Sequence, residues 1–178
     1  MSSLLSEVVE LLARSRSPHA VVGAAALAAL GVSRSTIDLD LLTTDRAVLR
    51  RDYWSSIEGV GTVVEIRIGD ISDPLVGVIR LSRSGERPID VIVGEGRWQE
   101  RLIAEARSYV VLGVAAPVAD EVGIVQMKLY AGGPQDLWDI SQLVAVSPDP
   151  ERLIREVTLR ERDLPRRCRS LWQKVCEG

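Results

Sequence analysis

Asp38 and Asp40 stand in the segment Thr36 to Thr43, whose residues alternate as they do in a strand. Side chains two apart on a strand share a face, so both carboxylates would leave one surface while Ile37, Leu39 and Leu41 leave the other. Their Cα atoms would lie roughly 6.5 to 7 Å apart. Two such carboxylates can converge on cations about 3.5 to 4 Å from each other, the separation used in two-metal phosphoryl transfer. A chain with 25 acidic residues also produces such pairs by chance.

Asp90 sits in Pro88-Ile89-Asp90-Val91-Ile92-Val93, an apolar strand. An unpaired charge there is costly, so it requires a cation or a hydrogen-bonding partner, and an ion pair to a nearby arginine answers that need as well as a metal does. Gly23-Ala24 follows the short apolar run Ala20 to Val22 and opens an alanine-rich helix that ends at Gly31. Backbone N–H groups and the positive end of a helix dipole at such a turn suit phosphate, although a plain turn glycine would look the same. Only Lys128 and Lys174 are lysines among 22 basic residues. The compact ammonium of Lys128 suits phosphate, or it simply snorkels from its helix. Asp136 and Asp139, three apart, either face a site or serve as first-turn acids of a helix.

Composition limits the chemistry further. One histidine, His19, and two cysteines, Cys168 and Cys176, exclude a zinc site of ordinary spacing and a histidine-based triad. On one helix the two thiols would lie about 12 Å apart, so they are expected to be reduced. Any metal must be held mainly by carboxylates, which suits magnesium or manganese. The net charge of −3 argues against coating of nucleic acid. Charge is nevertheless segregated, with eight basic against five acidic residues from Glu151 onward. No apolar run approaches the roughly 18 to 20 residues of a membrane span, and the first residues lack signal-peptide order, so a cytoplasmic location and no membrane partner are expected.

These side chains need a scaffold of both periodicities. Helical spacing covers 4–13, and strands are expected at 20–22, 36–43, 62–68, 76–82, 89–93 and 108–112. Residues 46–57 read as a surface helix or an irregular segment. Helices are expected at 97–106, 120–131, 134–146 and from 149 onward with a break near Pro165. The sum is an α+β chain: a mixed sheet of five or six strands flanked by helices, with a core over 1–115 and a helical segment over 116–178 packed on it.

As a set, Val22 to Ala28, Gly31 to Asp40, Ile89-Asp90-Val91, Lys128-Leu129-x-Ala131 and Gln135-Asp136-Leu137-x-Asp139 resemble the nucleotidyltransferase superfamily. Within it they are most similar to toxins of the AbiE abortive-infection type. The resemblance implies that Asp38, Asp40 and Asp90 hold two Mg2+ (or Mn2+) ions, with Asp90 near the acceptor hydroxyl. It implies that Gly23 and Ala24 cradle the β- and γ-phosphates of an NTP, that Arg34 and Thr36 precede the acidic pair, and that Lys128, Asp136 and Asp139 line the same cleft. The implied reaction moves an NMP to a hydroxyl, with an RNA or tRNA 3′ end as acceptor, an antitoxin as partner, and a monomer or homodimer as the working form. Gly-Ala where the family usually has Gly-Ser or Gly-Gly, and Gln135 in place of an arginine, keep a catalytically silent scaffold as the alternative. A carboxylate-metal nuclease is a third reading, which leaves the turn before the alanine-rich helix without purpose.

Overall fold

The computed structural model describes residues 2–33, 38–59, 61–69 and 75–177. Helix α1 (Leu4–Arg14) starts at Ser3, whose hydroxyl accepts from Ser6 N, and buries Leu4, Leu5, Val8, Val9, Leu11 and Leu12. Strand β1 (His19–Val22) is fully buried and runs into α2 (Gly23–Ala29). After β2 (Leu39–Thr43), residues 46–54 form two 3-10 turns ahead of the single-turn α3 (Ser55–Glu58). The turns are pinned by Asp45, which accepts from Ala47 N, and by buried Trp54, whose indole N–H donates to Val48 O at 2.7 Å.

Strands β3 (Thr62–Ile68), β4 (Gly77–Arg83) and β5 (Ile89–Val93) form an antiparallel meander, as their turn-rich separations require. Then come α4 (Arg97–Ala104), β6 (Arg107–Val111), β7 (Val114–Val118), α5 (Glu121–Ala131), α6 (Pro134–Val146), α7 (Pro150–Arg160) and α8 (Arg166–Glu177). The fold is α+β, with one mixed sheet in the order β3-β4-β5-β2-β1-β7-β6.

That sheet has seven strands, not five or six. The additional strand is β7, whose Val-Ala-Ala-Pro-Val sequence carries two alanines and a proline, residues that depress strand propensity. It is made by a two-residue hairpin in which Leu112 (φ 48°) and Gly113 (φ 82°) both take positive φ, joining Val111 to Val114. β7 lies inside the sheet, parallel to β1 at Val21↔Val118, and the boundary expected near residue 115 falls within it.

One face of the sheet is largely apolar: Leu39, Leu41, Ile79, Leu81, Ile89, Val91 and Val93 are each at most 4% exposed, with buried Thr43 and His19 at one end of β2 and β1. Burial of such side chains at roughly 1.5 to 3 kcal/mol each is the main force holding β4, β5 and β2 together. The other face carries the polar residues. Helix α5 packs on α2, α6, α7 and α8, so the C-terminal helices close over one end of this face. In α8 Cys168 is buried and Cys176 exposed, and both are free thiols. Arg167 lies over the Tyr130 ring, 5.0 Å from its centroid, and donates to Tyr130 O. Part of the basic C-terminal charge therefore serves packing.

Candidate active site

The register places a row of residues across five strands. Val22 of β1 is paired with Asp40 of β2, Asp40 with Asp90 of β5, Asp90 with Arg80 of β4, and Arg80 with Glu65 of β3. Directly opposite residues project from the same side of a sheet, so Asp40, Asp90, Arg80 and Glu65 form a continuous polar strip that ends at buried Val22. Two strands that meet only through folding thus bring Asp40 and Asp90 side by side. Asp38 is exposed just before β2.

Gly23 completes the row. Its φ of +64° is left-handed, and a Cβ there would stand 2.2 Å from Asp40 Oδ2. Two constraints, conformation and space, therefore demand glycine. Gly23→Ala should displace the Asp40 carboxylate and lower stability by about 1 to 3 kcal/mol, read by denaturant titration. A wild-type midpoint in that variant would refute the contact. Ala24 is buried behind the turn. Val22, the cap residue of α2, provides no side-chain acceptor for the first N–H groups of the helix.

From the other side come Lys128 and the α5–α6 turn. Gly132 (φ 72°) ends α5 in the left-handed conformation, and its N–H bonds Lys128 O at 2.8 Å. Asp136, in the first turn of α6, accepts from Gly133 N at 3.0 Å and from Lys128 Nζ at 2.8 Å. Lys128 Nζ also lies 2.8 Å from Asp139 Oδ2, and Asp139 is fully buried. Burial pulls the ammonium down, but the bonds to Asp136 and Asp139 outweigh it and hold Lys128 above its ordinary pKa. The lysine is a fixed cation. A cleft of about 160 Å3 lies between these parts, lined by Gly23, Asp40, Ile92, Met127, Lys128 and Asp136 among others.

The carboxylates are short of positive charge. Burial first, then repulsion from Asp90 and Asp38, pushes Asp40 up to about 6, with Lys128 and Arg80 offsetting only part. Asp90 is engaged by Arg80, whose Nη1 lies 3.0 and 3.3 Å from its two oxygens. That is the ion pair that competes with a metal in the sequence reading. As they stand, no three Asp, Glu, His or Cys side chains among the described residues converge to hold an ion. The donor set nonetheless fits a hard divalent cation: adjacent carboxylates, one of them made difficult to ionise by its own neighbours, gain most from added positive charge.

The structure therefore brings together Gly23, Asp40, Asp90, Lys128, Asp136 and Asp139, with Asp38 exposed just before β2. Arg34 and Thr36 lie outside the described residues. Arg80 escaped sequence reasoning, because its place beside Asp90 follows from strand register, which alternation within β4 alone does not give.

No protein-family model matches the sequence, and no curated protein matches it. Solved structures do. Lincosamide antibiotic adenylyltransferase LnuA, bound to lincomycin, superposes with a TM-score of 0.50 at 11% identity, over 80% of this chain and 96% of that one. The chain shares its fold with that adenylyltransferase. An antigenic nucleotidyltransferase-like protein from Paracoccidioides brasiliensis aligns over 96% of this chain and 90% of its own at 16% identity, TM-score 0.49. ANT(2")-Ia in complex with adenylyl-2"-tobramycin aligns over 98% and 95% at 16% identity, TM-score 0.45.

Proposed function

We propose that the chain transfers a nucleoside monophosphate from an NTP to an acceptor hydroxyl and releases pyrophosphate. The observation that carries this reading is the row in which Asp40 and Asp90 stand side by side on β2 and β5, with Gly23 pressed against Asp40 and Lys128 across the cleft. Two Mg2+ or Mn2+ ions held by Asp38, Asp40 and Asp90 would neutralise charge on the phosphates. Gly23 and Ala24 offer backbone N–H groups to the β- and γ-phosphates, and Lys128, oriented by Asp136 and Asp139, offers a point charge. Arg34 and Thr36, which precede the acidic pair in the sequence, are counted in this reading among the substrate-binding residues.

In the reaction the acceptor oxygen bonds to the α-phosphorus, the bond from that phosphorus to the oxygen bridging to the β-phosphate breaks to release pyrophosphate, and the acceptor's proton passes to Asp90 or to water. An RNA or tRNA 3′ end is the acceptor favoured by the likeness to AbiE-type toxins, with an antitoxin as protein partner. No helix among the described residues is long and apolar enough to cross a membrane.

A second reading has one observation in its favour: Arg80 already neutralises Asp90, and Asp136 and Asp139 already neutralise Lys128, as in a silent scaffold that keeps the fold. The two readings separate in one assay. With each labelled NTP, Mg2+ or Mn2+ and total RNA, the enzyme reading expects label on RNA 3′ termini and stoichiometric pyrophosphate. Absence of transfer to RNA or to small hydroxyl compounds, together with absence of cation-dependent NTP binding, rejects it. Cleaved RNA without transferred label would indicate a nuclease.

A further inference from the structure

A second cleft flanks the carboxylate row on the side away from Lys128. It measures about 220 Å3 and is lined by Arg67, Ile68, Val78, Arg80 and Asp90 among others. Asp40 thus borders one cleft and Asp90 the other, so two substrates can approach the pair from opposite sides. The first cleft has the phosphate-binding groups Gly23 and Lys128, which leaves the second for the acceptor.

The charge of this second cleft is informative. Among the described residues its charged lining, apart from Asp90, is Arg67 and Arg80, with the apolar residues Ile68, Leu75 and Val78 beside them. The nearest acid beyond them in the row is Glu65, which is not part of the lining. Both bonds from Arg80 to Asp90 come from Nη1, and among the described residues Nη2 and Nε are left to meet another acceptor. Arginine forks of this kind match phosphate oxygens in pairs, and a polycation would be repelled. The volume is below the roughly 300 Å3 at which pockets begin to enclose a whole small ligand, so it seats one terminal unit.

We propose that this cleft is an anion-selective acceptor subsite: Arg67 and Arg80 bind a phosphate adjacent to the hydroxyl that receives the NMP. The proposal rests on the nucleotidyl-transfer reading for its reaction but not for its binding chemistry. A phosphate next to a sugar hydroxyl occurs in a polynucleotide end and in a free phosphorylated nucleoside.

The test compares wild type with Arg67→Glu and Arg67→Lys in two measurements. The first is binding of an unreactive 3′-deoxy oligonucleotide and of a nucleoside 5′-monophosphate, titrated at two salt concentrations. Wild type should bind at least one of them, Arg67→Glu at least tenfold more weakly and with a flatter salt dependence, and Arg67→Lys in between. The second is transfer to a 3′-hydroxyl oligonucleotide, a nucleoside 5′-monophosphate, the unphosphorylated nucleoside and a polyamino sugar. The acceptor KM for the phosphorylated compounds should rise at least tenfold in Arg67→Glu, with kcat and the KM for the nucleoside retained. Preference for the oligonucleotide over the monophosphate identifies a polynucleotide end, and the reverse a small phosphorylated acceptor. Equal binding by wild type and Arg67→Glu, no binding by either, or a preference for the amino sugar overturns the proposal. Loss of binding in Arg67→Glu with no transfer by any protein keeps the anion site and removes the transfer reading.

Discussion

Asp40→Asn stabilises the metal-free protein at neutral pH while reducing cation-dependent transfer by roughly 10³-fold or more: that is the expected result, and its two halves have one cause. In the folded chain the Asp40 carboxyl is pushed up to about 6, above its ordinary 3.8, chiefly by burial and then by Asp90 and Asp38. A folded pKa above the unfolded one means the folded state holds its proton longer. Below about pH 4 the group is protonated in both states and costs nothing. Between about pH 4 and 6 the unfolded chain ionises first, so stability falls as pH rises, and above about 6 the full penalty remains. A displacement from 3.8 to about 6 corresponds to about 2 to 3 kcal/mol. For a chain of this size that is a rise in melting temperature of about 5 °C or more for the asparagine variant at pH 7.5 in chelator, vanishing near pH 4. Added Mg2+ should raise the wild-type melting temperature and not that of the variant. Undiminished turnover by Asp40→Asn would sink the catalytic assignment, and an unchanged melting temperature in chelator would sink the electrostatic one.

The second large effect concerns Lys128. Its Nζ is shared by Asp136 and Asp139, and Asp139 is completely buried. Removal of one partner of a buried ion pair leaves an uncompensated charge and costs roughly 3 to 5 kcal/mol, whereas removal of both with apolar residues of similar volume is near neutral. Lys128→Met should therefore lower the melting temperature by about 10 °C, and Lys128→Met with Asp139→Leu should regain most of it. Neither variant should regain NTP affinity if the lysine meets phosphate. A double variant that binds NTP like wild type would show that Lys128 only braces the α5–α6 turn. Equal melting temperatures of wild type and Lys128→Met would deny the buried pair its energetic role.

Much of this architecture was legible in the residues because strong periodicity leaves few alternatives. The β3-β4-β5 meander follows from β-branched runs parted by turn residues, and α6 begins at Pro134 because Gly133-Pro134 leaves no other start. β7 was not legible: its alanines and proline are poor strand formers, and pairing with β6 and β1 overrides local preference. The same distinction holds at the site. Asp38-x-Asp40 and Asp90 are visible as types in a pattern, and Gly23 as a turn. What a linear pattern omits is lateral order. Arg80 becomes Asp90's partner only when β4 and β5 pair in this register, and Asp40 becomes Asp90's neighbour only when β2 and β5 run parallel.

That lateral order has a consequence for biosynthesis. β2 is made before its partner β5, which ends at Val93, and before the cleft's lysine at position 128. Parallel pairing of strands so distant in sequence is slow to form because a long loop must close first. The acidic pair therefore stays unassembled until β5 has followed it. The carboxylates and the lysine of the cleft come together only once α5 (Glu121–Ala131) has been made, so fragments that stop before α5 should lack the cleft.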